Sequence, residues 1–171
     1  EDFERGSLNT NYWTKSTDYG DEADTEWLVA AQVGHDASMG VTTGACTFNP
    51  YSSSMISRPL DATKINKVKC SFLTLCNQEP AQGGGEVDLT KDTLSVEYTV
   101  DGGKSWSVAK EWTVKELPNL EGILTVDLTK QVAGKVFQIR FRKHGKGGIS
   151  YYFYLDNIMI GSTADAEAPK G

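Results

Sequence analysis

Acidic side chains are the first residues of this chain whose type and placement ask for chemistry. Asp156 lies in the run Tyr151–Ile160, where it shares strand parity with Tyr152, Tyr154, Ile158 and Ile160. On an unbroken pleat it points to the same face as two isoleucines, and an unpaired buried carboxylate is strongly unfavourable or takes up a proton. A partner is therefore required: a cation, a basic group such as Arg5 or Arg140, a turn amide, or a bulge that re-aims the side chain. Asp18, Asp21, Glu22, Asp24 and Glu26 crowd a second stretch and Asp36 follows, but no spacing matches an EF-hand loop. Catalysis has little to draw on. The two histidines, His35 and His144, each sit in a Gly-flanked loop without a companion motif. There is no G-x-S-x-G, no phosphate-binding glycine loop opening a helix, and no spacing that selects a carboxylate pair for glycoside hydrolysis.

Aromatic residues offer a second chemistry. A sugar ring needs a flat aromatic face flanked by polar groups. Trp13, Tyr51, Trp112 and Tyr152 are the candidates for such a ligand-binding surface, because they sit in or beside loops or on mixed faces. The competing reading places each of these large rings in the core, where Trp27 and Trp106 are expected. Of the three cysteines, Cys70 and Cys76 fall in one strand. At ~3.3 Å per residue their separation is too long for the span of under about 7 Å that a disulfide needs. The odd count and the lack of a C-x-x-C disfavour a zinc or redox site, which leaves small buried hydrophobes or a bridge from Cys46 to one of the other two.

The elements that must position these residues are strands. In Thr93–Thr113, Leu94, Val96, Tyr98 and Val100 alternate with Ser95, Glu97 and Thr99, the period of a strand with one buried face. Asp101-Gly102-Gly103 supplies a tight reversal. Glycine accepts the positive φ of a hairpin turn, and the Asp carboxylate can accept its amides. Trp106 on the return strand is placed to cover the turn. The octet Thr99–Trp106 also resembles an Asp-box, a folding device of many secreted β-proteins and not an active site. A single copy argues against a propeller.

Further strands are expected at 1–4, 27–33 (with some helical ambiguity), 41–48, 55–61 ending near Pro59, 64–77, 123–128, 135–143 and 151–160. The 64–77 strand is apolar on both faces and should be central. Residues 5–25, 34–51 and 78–91 read as loops, 144–148 as a glycine-rich turn, and 128–133 as the one short helical piece. This is an all-β pattern, and it points to a two-sheet antiparallel sandwich with jelly-roll topology. One domain is expected over 1–161, with 162–171 a linker or tail.

Composition narrows the function. With 171 residues, four Trp, seven Tyr and six Phe, the chain can bury a sizeable core. A net charge of −6 argues against nucleic acid, and no apolar run suits a membrane span. The start at Glu1 suits a trimmed fragment whose targeting segment has been removed.

An opening D-F-E, S-x-x-I-S-R-P-L-D at Ser53–Asp61, the D-G-G-K-S-W hairpin, V-D-L at Val126–Leu128, and F-Q-I-R-F-R followed by Y-Y-F-Y-L-D-N-I-M-I occur in that order. The set resembles a cleaved-adhesin or choice-of-anchor J domain, a relative of MAM domains and of jelly-roll carbohydrate-binding modules. The resemblance runs from Phe3 to Ile160. It implies a non-catalytic module, extracellular or on a cell surface, monomeric within a larger chain, and directed at a glycan or a surface protein. It also implies a structural calcium held by acids of the first strand and an Asp of the last. Carried over, these are Glu4 and Asp156, with Asp2 next. Calcium takes 6–8 oxygens, so such carboxylates need loop carbonyls beside them. A purely structural or protein-interaction domain and a jelly-roll hydrolase are the alternatives.

Overall fold

The computed structural model describes residues 8–19, 27–30, 40–43, 46–47, 50–76, 90–146, 149–150 and 153–162. Its strands are β1 (Trp13–Tyr19), β2 (Trp27–Ala30), β3 (Gly40–Thr43), β4 (Cys46–Thr47), β5 (Tyr51–Ser57), β6 (Leu60–Asp61) and β7 (Lys69–Cys76). They continue with β8 (Asp92–Thr99), β9 (Ser107–Thr113), β10 (Gly122–Asp127), β11 (Val136–Gly145), β12 (Ile149–Ser150) and β13 (Phe153–Gly161). One sheet runs β1-β5-β11-β8-β9, with β6 also paired to β11, and the other runs β10-β7-β13-β3-β2. The strand pairings among the described residues are antiparallel, and β4 and β12 form a small third ladder. From β5 onward the chain passes repeatedly from one sheet to the other, which is the jelly-roll winding. The fold class read from the sequence is the one observed.

Period-2 alternation explains most of this. In β11, Phe137, Ile139 and Phe141 enter the core while Gln138, Arg140 and Arg142 take the opposite face. Phe72 of β7 meets Phe141 edge-on at 5.1 Å and Trp112 of β9 at 5.9 Å, which locks the two sheets together. Trp27 is fully buried, packs edge-on against Phe153, and donates its indole N–H to the Ser53 carbonyl at 3.1 Å. The β8–β9 hairpin closes as expected. Gly102 and Gly103 have φ of 74° and 90°, Thr99 Oγ donates to Asp101 Oδ1 at 2.7 Å, and the Ser105 amide donates to the same oxygen at 3.0 Å. The Ser105 hydroxyl and Thr99 hydroxyl, with the Ser105 amide, hold the Asp101 carboxyl well below the usual range. Helix α1 (Thr129–Val132) is the short helical piece.

Three expectations are corrected. Residues 13–19 form edge strand β1, not loop. Of its described side chains only Trp13 is buried, so the stretch carries no alternation to read. Strand β5 begins at Tyr51, four residues before the expected start, because Ser52, Ser53 and Ser54 are all buried and a serine run has no apolar signature. His144 lies within β11, paired with Thr93 and Ser52, and not in a turn. The β7 strand is central as expected but shorter, Lys69–Cys76. Cys70 and Cys76 both lie in it as free buried thiols, so a bridge from Cys46 to either is not formed. The expected strand at 1–4 and the tail beyond 162 lie outside the described residues.

Candidate functional site

Pro59 has no amide hydrogen to give to a ladder, so the β5 ladder stops and the chain turns into short β6. That break leaves Arg58 exposed at the sheet margin. Opposite it, the Asn9 carbonyl accepts the amides of both Tyr12 and Trp13 at 2.9 Å, and Asn9 Oδ1 accepts the Asn11 amide at 3.1 Å. This polar turn presents Tyr12, which is 42% exposed. The Arg58 amide donates to the Tyr12 carbonyl at 2.6 Å, and the Arg58 guanidinium lies 4.4 Å above the Tyr12 ring centroid. Across a cleft of about 360 Å³ stand Leu60, Ile158 and Ile160, with Trp13, Asn9 and Ser57 completing the wall. No carboxylate lines the cleft among the described residues, and there the Arg58 side chain has no hydrogen bond or ion pair.

A second group of charges, on β8 and β11, is compensated. On the outer face of the first sheet, Glu97 accepts Arg140 Nε at 3.0 Å and Nη2 at 2.7 Å on one oxygen, and the Ser95 hydroxyl at 2.7 Å on the other. Arg142 Nη1 stands 3.6 Å from Glu97 and its Nε donates to Ser52 Oγ at 2.8 Å, while Asp18 accepts the Ser52 hydroxyl. Burial alone would raise the Glu97 pKa. The Ser95 and Arg140 hydrogen bonds and the two guanidinium charges outweigh that and hold it below the usual Glu range. Arg140 also stacks over Trp106 at 4.5 Å.

Lys143 is a sequence reader's surprise, since it takes a core position of β11. It is fully buried, donates to Tyr51 Oη at 3.1 Å, and lies 5.7 and 5.5 Å from the Tyr51 and Phe153 ring centroids. Burial pulls its pKa down to about 8, against the opposing pull of Cys76 and Asp92. The buried Asp92 carboxylate adjoins this group, and burial followed by the Asp92 charge pushes the Tyr51 phenol far up.

The residues singled out from the sequence are placed as follows. Trp13, Tyr51 and Trp112 are 4%, 5% and 9% exposed, so their ring faces are taken up by the core. Of the three only Trp13 reaches the cleft. Tyr152, Asp2 and Glu4 lie outside the described residues. Asp156 is buried, and the register of β13 against β7 shifts between Asp156 and Met159. Asn157 adopts φ 46°, and its amide donates to Asp156 Oδ1 at 2.8 Å. The bulge that the carboxylate called for is present. Arg140, weighed as its partner, is engaged with Glu97 instead. No group of three or more His, Cys, Asp or Glu suited to a metal occurs among the described residues. Tyr12 and Arg58 were not foreseen. Their only sequence signal is the Arg-Pro step, where a strand ending at proline leaves the preceding cation outside the ladder.

The architecture is an antiparallel jelly-roll sandwich with a cleft at the margin of its first sheet. A family model described as Reelin subrepeat B matches residues 32–161, more than half of the chain, and the chain belongs to that family. The K1 cleaved adhesin domain of Lys-gingipain from Porphyromonas gingivalis W83 is similar, with a TM-score of 0.69 and 18% identity over 96% of this chain and 97% of that one. The module TmCBM61, solved with β-1,4-galactotriose, gives 0.59 and 14% over 94% of each chain. The xylan-binding module CBM15 gives 0.52 and 12% over 94% of this chain and 97% of that one. These likenesses establish the fold. No curated protein matches the chain. No helix among the described residues is long and apolar enough to cross a membrane.

Proposed function

We propose that this chain is a non-catalytic binding module of an extracellular or cell-surface protein, and that it holds a glycan in the Tyr12–Arg58 cleft. The observation that carries the reading is the composition of that cleft. An apolar wall (Trp13, Leu60, Ile158 and Ile160) faces polar groups from Asn9, Ser57 and Arg58 beside an exposed tyrosine. Apolar walls suit the C–H faces of a sugar, and a few fixed donors and acceptors suit its hydroxyls. The neighbouring folds point the same way, two of them being modules whose descriptions name a galactotriose and xylan. A glycan array probed with the wild-type chain and with Tyr12→Ala tests it. Binding that is lost in the variant is expected. A silent array would leave a protein-interaction domain as the better reading.

Calcium belongs to the same proposal. Asp156, on its bulge, is the acid that the described residues contribute, and Glu4 and Asp2 would join it. Melting with and without a chelator tests this. A drop in melting temperature that calcium restores, and magnesium does not, is expected. Identical melts in all three conditions would remove the ion.

A further inference from the structure

We infer that the ligand of the Tyr12–Arg58 cleft carries a carboxylate, so that the module selects acidic sugars over neutral ones. The inference rests on the glycan-binding reading above and adds the substrate class. The chain has a net charge of −6, and the other arginines among the described residues are engaged: Arg140 with Glu97, and Arg142 with Glu97, Asp18 and Ser52. Arg58 differs. Among the described residues its guanidinium meets no carboxylate, no carbonyl and no hydroxyl. The cation is nevertheless not left to wave in solvent. Its backbone amide is tied to the Tyr12 carbonyl, and its Cζ lies 4.4 Å from the Tyr12 ring centroid. That contact holds the guanidinium at the cleft while its N–H donors have no partner among the described residues, so they are free to meet a carboxylate in a two-pronged pair.

The surroundings favour an anion. The cleft has no acidic lining residue among those described, and its wall of Leu60, Ile158 and Ile160 lowers the local polarity against which Arg58 acts. The Asn9 side-chain N–H2 group, which has no hydrogen-bond partner among the described residues, can serve a ring hydroxyl. A carboxylate fixed to a pyranose ring can reach Arg58 while the ring itself lies against the apolar wall. A neutral sugar would leave the guanidinium unpaired on becoming covered.

The test is calorimetric titration at low salt with three probe pairs. These are oligogalacturonides and sialyllactose, each beside its carboxyl-reduced form, and a sulfated neutral oligosaccharide beside its desulfated form. The expected result is that a carboxylated probe binds roughly ten- to a hundredfold more tightly than its reduced form. The preference should fade with added salt. Arg58→Gln should abolish the preference, and Arg58→Lys, which keeps the charge but not the fork, should restore only part of it. Both variants alter an exposed side chain, and an unchanged melting temperature verifies their folding. Equal or tighter binding of the reduced sugars overturns the carboxylate assignment and leaves the glycan reading standing. Equal binding of the sulfated probe overturns it in favour of a general anion site. Failure of every probe, together with a silent glycan array, overturns both.

Discussion

Replacing Glu97 by Gln keeps the shape of the side chain and removes its charge. In the wild-type chain Glu97 is 3% exposed at the side chain, and its two oxygens serve Arg140 twice and Ser95 once, with Arg142 beside them. Glutamine offers one oxygen, and its amide nitrogen must then face a guanidinium or a hydroxyl. Breaking a buried pair from one side costs about 3–5 kcal/mol. Here the arginines retain 16% and 23% of their side-chain exposure and can turn partly to water, which places the loss at the lower end, about 2–3 kcal/mol. For a chain of this size that is roughly 5–10 °C in melting temperature. Urea unfolding at pH 7 should show a lower midpoint at an unchanged slope. The pH dependence gives a second reading. The Glu97 pKa is depressed in the folded state, so its contribution is complete above the ordinary Glu pKa and is lost as pH falls through the folded value. The gap between wild type and Glu97→Gln should therefore hold from pH 7 to 5 and close in stronger acid. A difference below about 1 kcal/mol at pH 7, or one that does not narrow in acid, would refute a charge-based account.

Lys143 predicts a signature of the same sign in the alkaline range. Its folded pKa, about 8, is below the ordinary 10.5, so stability should rise with pH from 8, by at most about 1.4 kcal/mol per unit. Above pH 9 the rise should reverse, because the Cys76 and Cys70 thiols, pushed up to about 11 and about 12, keep their protons in the folded chain and lose them in the unfolded one. Lys143→Met should abolish the rise and keep the fall; guanidinium titrations at half-unit pH steps would show it, and a persistent rise in the variant would contradict the assignment. Asp101→Ala removes the acceptor for the Ser105 amide and hydroxyl in the hairpin turn and should lower the melting temperature without changing binding. Loss of binding in that variant, measured on the array, would mean that the turn is not purely structural.

How much of this was legible in the sequence follows from what each signal depends on. The turn of the β8–β9 hairpin was readable, since a turn of Asp and two glycines is fixed by local chemistry, although β8 stops at Thr99 with Val100 exposed and β9 begins only at Ser107. So was the alternation of β11, because Phe137, Ile139 and Phe141 are spaced by two. The same rule failed to flag Lys143, whose parity assigns it to the core although its charge suggests the surface; burial was made tolerable by the Tyr51 hydroxyl, a residue 92 positions away. Strands β1 and the start of β5 were hidden by polarity. Their serines and threonines bond to other strands, as Ser52 does to Asp18, and hydropathy carries no trace of such bonds. Asp156 shows the reverse case, a physical conflict in the sequence for which a bulge was one of several ways out, and a bulge is what β13 contains.

The location of the proposed binding site rests also on the charges across the two faces of β11 and its neighbours. The outer face of the first sheet is broad and polar, and on composition alone it is the natural place for a ligand. Yet its charged groups already satisfy one another: Glu97 sits between two arginines, and Ser52 links Arg142 to Asp18. A ligand there would have to replace bonds that are already made, and each would be weighed against one of equal kind. At the margin, Pro59 ends the ladder before Arg58 can find such a partner, and Tyr12 fixes the cation in place. Binding adds bonds there without breaking any. The difference in free energy between filling an open valence and exchanging a closed one favours the cleft.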